Sequence, residues 1–190
     1  MRRKLGIIFM VLGAALLAGA MAFVLHNRQE DARADQAAAA VLPQVKAAIG
    51  TAEPSGEEMP AREIDGDGYI GYLSIPALGL ELPVMETWDD TRLKIAPCRY
   101  SGSTATHDLV ICAHNYSRHF GQLSALKAGD SVSLTDMTGR VWQYTVAETA
   151  ELPPDAVAAM TAGDFDLTLF TCTYGGAARV TVRCQRAAAE

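Results

Sequence analysis

Between Leu5 and Leu25 the chain carries no charged side chain. At ~1.5 Å per residue a helix over that run spans roughly 31 Å, close to the ~30 Å hydrocarbon core of a bilayer. No soluble fold of this size easily hides such a segment, so it constrains everything downstream. Arg2, Arg3 and Lys4 precede the run, whereas the far flank, HNRQED, mixes both signs. The bias of basic residues toward the cytoplasm therefore predicts a single-pass anchor with its N-terminus inside and the rest of the chain outside the cell. A cleaved signal peptide is the competing reading, but its apolar segment is typically only ~7–15 residues.

Past the anchor, QEDARADQAAAAVLPQVKAAI is alanine-rich and helix-prone, with Pro43 expected to kink or split the helix. IGTAEPSGEEMPAREIDGDG then carries the Gly, Pro and acidic residues of a linker. The organisation expected is an anchor and cytoplasmic tip over 1–26, an extracellular, solvated stalk with a helix-prone part over 27–67, and a folded domain over 68–190.

From Tyr69 onward the texture is that of short strands: YIGYLSIPALGLELPVME, the continuous apolar DLVICA, SVSLTDMTGRVWQYTVAE folded about the Asp136–Gly139 turn, DLTLFTC and ARVTVRC. Short helices or turns are expected in TWDDTRLKIAP, HFGQLSALKAGD and LPPDAVAAM. Seven or eight short strands with little helix predict a mainly β domain, a closed or nearly closed barrel of ~120 residues. A net charge of −6 argues against nucleic-acid binding, which needs a basic footprint. No spacing of acids, histidines and cysteines marks a metal site, and no cofactor is expected.

Period-2 alternation sorts the reactive residues. In ARVTVRC, Cys184 shares the apolar, core-facing side with Val180 and Val182, while Arg179 and Arg183 share the other. In DLTLFTC, Cys172 lies at the strand's end, where a loop makes it reachable. His114 ends LVICA at the matching place. A thiol beside an arginine is favoured as thiolate, and a cysteine nucleophile usually needs a histidine as acid and base. Arg179 and Arg183 stand ~13 Å apart at strand rise, so one of them accompanies Cys172. Arg179, next to the TYGGAA turn, is nearer, and Arg183 is expected to be an exposed charge. Cys112 reads as buried filler or as a pocket-lining thiol.

These segments carry a resemblance to sortases, the cysteine transpeptidases of Gram-positive surfaces. TLFTC resembles the family's TLxTC signature. LVICAHNYSRHFGQLSALKAGD is similar to the segment delivering its catalytic histidine, and RVTVRC to its arginine-bearing last strand. The resemblance covers about Gly68 to Arg186. It implies an eight-stranded sortase-type β-barrel with short helices, preceded by a transmembrane helix. It implies Cys172 as nucleophile, His114 as general acid and base, Arg179, which opens the last strand as in the family, as the catalytic arginine, and Thr171 as a substrate or oxyanion contact. The implied partners are surface or pilin proteins bearing an LPxTG-like sorting signal and an amine acceptor such as lipid II or a peptidoglycan cross-bridge. Two other readings compete: a different Cys-His enzyme of the cell wall, and a non-enzymatic surface binding module. In the first, L,D-transpeptidases place an arginine where this chain has Tyr174, and papain-like enzymes put the cysteine at a helix start.

Overall fold

One long uncharged run and a set of short alternating segments have different solvents to satisfy, and the chain divides accordingly into two units, Met1–Arg33 and everything from Ala34 onward. The computed structural model describes residues 2–53, 56, 58–162 and 164–187. Met1 of the expected anchor, Pro54, Ser55 and Glu57 of the expected stalk, and Gly163 and 188–190 of the expected catalytic domain lie outside them.

The first unit is the N-terminal part of helix α1 (Arg2–Ala48). Its apolar side chains, among them Ile8, Phe9, Leu16, Leu17 and Phe23, are all exposed. A helix apolar on all sides is one that a protein core or a membrane can accommodate. By length and composition this helix is able to cross a membrane.

The second unit begins with the remainder of α1. Ala34, Ala38, Val41 and Val45 recur at helical spacing and are buried. The expectation of a solvated stretch over 29–49 is therefore corrected at these four positions. The hydrophobic stripe was hidden by surrounding alanines, which do not distinguish core from solvent. Of the kink or split expected at Pro43, the split does not occur, since α1 runs through it to Ala48. Pro43 and Ala39, whose carbonyl the proline leaves without an intrahelical donor, are both exposed, so water can satisfy that carbonyl.

Nine strands follow: β1 (Arg62–Ile64), β2 (Asp67–Ile75), β3 (Leu80–Met85), β4 (Cys98–Ser101), β5 (Leu109–Cys112), β6 (Ser131–Asp136), β7 (Val141–Leu152), β8 (Leu167–Cys172) and β9 (Arg179–Arg186). Their order is β1-β2-β3-β4-β5-β8-β9-β7-β6, and β6 pairs again with β2. Eight strands thus close a barrel, as expected, and β1 adds a three-residue edge on the start of β2. Closure depends on Gly71 (φ +142°), where a Cβ would lie 2.0 Å from the Thr135 carbonyl oxygen. The helical elements are short: α2 (Val157–Met160) and one-turn 3₁₀ segments, including Arg92–Lys94 and Leu123–Ala125 in the two segments expected to turn.

Leu73, Val84, Ile111, Leu134, Leu169, Val182 and Cys184 fill the barrel. A second apolar layer lies outside it, where Val41 and Val45 of α1 join Met85, Cys98, Cys112, Met137, Met160 and Phe170. Alternation therefore buries both faces of β8 and most of β9. Because Val45 is fully buried in this layer, Val45→Asp is expected to destabilise the unit by roughly 3 kcal/mol or more, the cost of an unpaired buried carboxylate. Thermal melting followed by circular dichroism checks this. An unchanged melting temperature would show that α1 beyond Ala34 is not part of the fold.

Candidate active site

Two strand pairings assemble the site. β5 runs parallel to β8 with Cys112 opposite Phe170. The ladder continues one step, Ala113 N–H donating to the Phe170 carbonyl at 3.2 Å. Extending that register brings His114 level with Cys172. On the other side β8 runs antiparallel to β9, and its last pair is Cys172 with Arg179. Facing residues in such a pair stand ~4.5–5.5 Å apart between Cα atoms. His114, Cys172 and Arg179 therefore form a row across three adjacent strands, at one end of the barrel and on its outer face.

The β8–β9 turn sets this register. Thr173 N–H donates to the Ala178 carbonyl at 2.9 Å, and Ala178 N–H to Thr173 Oγ1 at 3.0 Å. Gly175 and Gly176 both have positive φ (79° and 75°), which glycine adopts without strain. The tight turn returns the chain so that the first residue of β9 is Arg179. Its Nη1 donates to the Gly176 and Ala178 carbonyls at 3.3 and 3.4 Å, which holds the guanidinium at this end of the hairpin.

A cavity of about 280 Å³ includes His114, Cys172, Arg179 and Thr171 in its lining. Its walls are largely apolar: Phe170 and Cys112 come from the barrel, Trp88, Leu93 and Tyr100 from the β3–β4 region, and Pro154, Val157 and Met160 from the segment before β8. Trp88 stacks on Tyr100 with centroids 5.4 Å apart, and Tyr100 meets Phe170 edge-on at 5.3 Å. The site can hold an extended apolar segment with its polar chemistry concentrated at one end.

Thr171 lies on the opposite face of β8 from Cys172. It is buried, and its Oγ1 donates to the Ala113 carbonyl at 2.8 Å. The hydroxyl thus ties the strand carrying Cys172 to the residue before His114.

Burial lowers the pKa of His114 below the ordinary imidazole value, with Lys94 adding to the effect and Asp90 opposing it. The neutral imidazole therefore predominates at neutral pH. The sign for stability follows: the unfolded chain takes up this proton first as pH falls, so the group makes folding less favourable below about pH 6.5.

All four cysteines are free thiols. Cys112 proves to be both things considered for it, buried and part of the cavity lining. Burial pushes the Cys112 and Cys184 thiols up to about 12 and raises Cys98 further. Cys172 alone of the four is half-buried.

Arg183 is corrected from exposed charge to buried residue, at 6% exposure. It shares the face of Arg179 but lies opposite Thr168, far from the turn. Its Nη1 donates to Thr168 Oγ1 and to the Met160 carbonyl, both at 2.9 Å, and its Nη2 to the Ala159 carbonyl. The guanidinium caps the C-terminal carbonyls of α2, which covers this face of β9. Alternation alone does not reveal that second covering layer.

Of the other histidines, His107 pairs with Asp166 at 2.7 Å, where β5 and β8 begin, and so lies at the far end of both strands from His114 and Cys172. His119 is fully buried. Asp90, Lys94 and the aromatic wall were not foreseen as parts of the site. TWDDTRLKIAP reads locally as a polar turn, and only the β3–β4 connection brings it to His114.

A family model described as Sortase domain matches residues 73–187. Sortase A of Bacillus anthracis is 28% identical over 126 residues, covering 63% of this chain and 60% of the relative. The chain thus spans less than two thirds of that curated relative. Among solved structures, sortase C1 from Streptococcus agalactiae superposes with a TM-score of 0.58 at 28% identity, over 67% of this chain and 72% of that one. Sortase A from Corynebacterium diphtheriae gives 0.60 at 17% identity over 93% and 97%, a likeness of fold.

Two measurements check the electrostatics. Brief iodoacetamide treatment of the native protein should label Cys172 and spare Cys98, Cys112 and Cys184, as read by peptide mass spectrometry. Comparable labelling of Cys112 would contradict its burial. The His114 ring should titrate in NMR with a midpoint below ~6.5, the resonance being assigned by its loss in His114→Gln.

Proposed function

The chain belongs to the sortase family, and on that premise we propose that it is a membrane-anchored cysteine transpeptidase acting on surface or pilin proteins with a C-terminal sorting signal of LPxTG type. The observation that carries this reading is the row His114, Cys172, Arg179 on adjacent strand ends, in the lining of one largely apolar cavity.

In this mechanism the Cys172 thiol passes its proton to His114 as Sγ attacks the carbonyl carbon of the scissile peptide bond, forming a C–S bond. Arg179 hydrogen-bonds the developing oxyanion or the neighbouring substrate carbonyl, and its permanent charge is strongest in a site that excludes water. His114 delivers a proton to the departing nitrogen as the C–N bond breaks, leaving a thioacyl enzyme. An incoming amine then attacks the thioester, its proton passes to His114, and the C–S bond breaks. The lowered pKa of His114 suits both halves, giving a stronger acid when protonated and a ready neutral base at neutral pH. Thr171, which lines the cavity, would serve as the substrate or oxyanion contact, and its bond to the Ala113 carbonyl would also hold the histidine strand in register with the nucleophile. The apolar wall would take the hydrophobic part of the signal. Lipid II or a cross-bridge amine would be the acceptor.

The uncharged helix would anchor the protein with residues 1–26 as tip and membrane segment, the N-terminus cytoplasmic and the folded unit outside. The catalytic domain would extend over 68–190, with residues from Ala34 packing on it.

Sorting-peptide turnover tests the proposal. Cys172→Ala is expected to abolish thioacyl-enzyme formation, seen by intact-protein mass spectrometry, without lowering the melting temperature. Arg179→Ala should lower kcat/KM by about 100-fold or more, again with the fold intact. Arg183→Ala, which strips the cap from α2, should act mainly through a lower melting temperature. Turnover by Cys172→Ala would overturn the nucleophile assignment.

A further inference from the structure

Cys172 borders two cavities. Besides the apolar one, a second of about 190 Å³ opens at the barrel's end. Cys172 and Thr171 belong to both linings, so the end of β8 stands on the lip between them. The second cavity has apolar lining too, from Phe120 and Val180, but it carries a different set of polar groups. Asn115, Ser124, Thr173 and Glu151 contribute to it, and no Lys, Arg or His is among its described lining residues.

Glu151 reaches this cavity because it pairs with Val180, whose side chain faces the barrel interior, whereas Leu152 pairs with Arg179 on the outer face. One residue of alternation thus separates a carboxylate on one side of Cys172 from a guanidinium on the other. Asn115 is held in a tight loop, with Phe120 N–H donating to the His114 carbonyl at 3.3 Å and Gly121 N–H to the Tyr116 carbonyl at 2.9 Å. A Cβ at Gly121 would come within 2.6 Å of the Asn115 carbonyl oxygen. Tyr174, at 89% exposure, stands at the rim.

We propose that this second cavity is the binding site for the cationic primary amine that accepts the acyl group, with Glu151 attracting its ammonium and Asn115 and Ser124 offering hydrogen bonds. The inference rests on the transpeptidase reading above. The apolar cavity then holds the acyl chain, and the amine approaches the thioester from the opposite side of the thiol. The step balances: the amine nitrogen forms a C–N bond to the acyl carbon, the C–S bond breaks, Cys172 regains its thiol, and the proton lost by the ammonium passes through His114, adjacent to Asn115, to solvent. The amine released in the first half-reaction leaves by the same route, as reversibility of the two half-reactions requires.

The test uses the full-length protein in detergent, a library of LPxTG-type peptides as acyl donors, and two competing nucleophiles in one tube. Triglycine amide carries a cationic amine, and hydroxylamine is uncharged at neutral pH. Glu151→Gln is expected to raise the KM for triglycine amide and to lower the ratio of triglycine to hydroxamate product roughly three- to fivefold, the upper end of the scale for losing one exposed charge contact. Glu151→Asp should restore part of the ratio. A ratio within twofold of the wild type in Glu151→Gln, with the thioacyl enzyme still forming, overturns the acceptor site alone. Failure of the wild type to form a thioacyl enzyme with any library member overturns the transpeptidase reading, and the acceptor site with it.

Discussion

The parallel pairing of β5 with β8 is the constraint on which the site depends. These strands are far apart in sequence, and the β6–β7 hairpin intervenes between them. Their register, Cys112 opposite Phe170, decides whether a histidine two residues past one strand meets a cysteine at the end of the other. A slip of one residue would send Cys172 to the barrel interior, because side chains alternate with period 2. The hydroxyl of Thr171, bonded to the Ala113 carbonyl, clamps that register at the point where it matters.

The hairpin from β8 to β9 supplies the third group by a local device. Two glycines with positive φ and the Thr173–Ala178 bonds force a tight return, so the arginine opening β9 must face the cysteine closing β8. The other arginine of the strand, only four residues on, has a different fate. It is buried beneath α2 and spends its donors on two carbonyls and a hydroxyl. Identical side chains on one face of one strand thus diverge, one lining the cavity and the other bracing a wall of it.

The electrostatic layout follows from the same alternation. Arg179 lies beside Cys172 on the outer face, while Glu151, one residue off the β7 partner of Arg179, faces the barrel mouth. His114 sits between apolar surroundings that resist its charging and a pair of opposite charges, Asp90 and Lys94, that act on it in opposite senses. Cys172 thus lies at the boundary between a largely apolar cavity and a second one whose lining includes the Glu151 carboxylate.

Much of this was legible in the chain itself. Alternation sent Cys184 inward, the strand's end made Cys172 reachable, and the turn residues placed Arg179 nearer to the cysteine than Arg183, because strand periodicity and turn chemistry are local properties. The long uncharged run likewise declared itself, since membrane thickness sets a length that few other segments match. Three things were settled only by tertiary structure. Alanine is compatible with both water and core, so the packing of Ala34, Ala38, Val41 and Val45 could not be told from a solvated helix. A strand's face shows its polarity but not whether another layer covers it, so Arg183 read as exposed until α2 was seen above it. And the cavity-lining residues Asp90, Tyr100 and Glu151 come from segments whose own patterns say only turn or strand, because closing the barrel, not any local preference, is what brings them to the site.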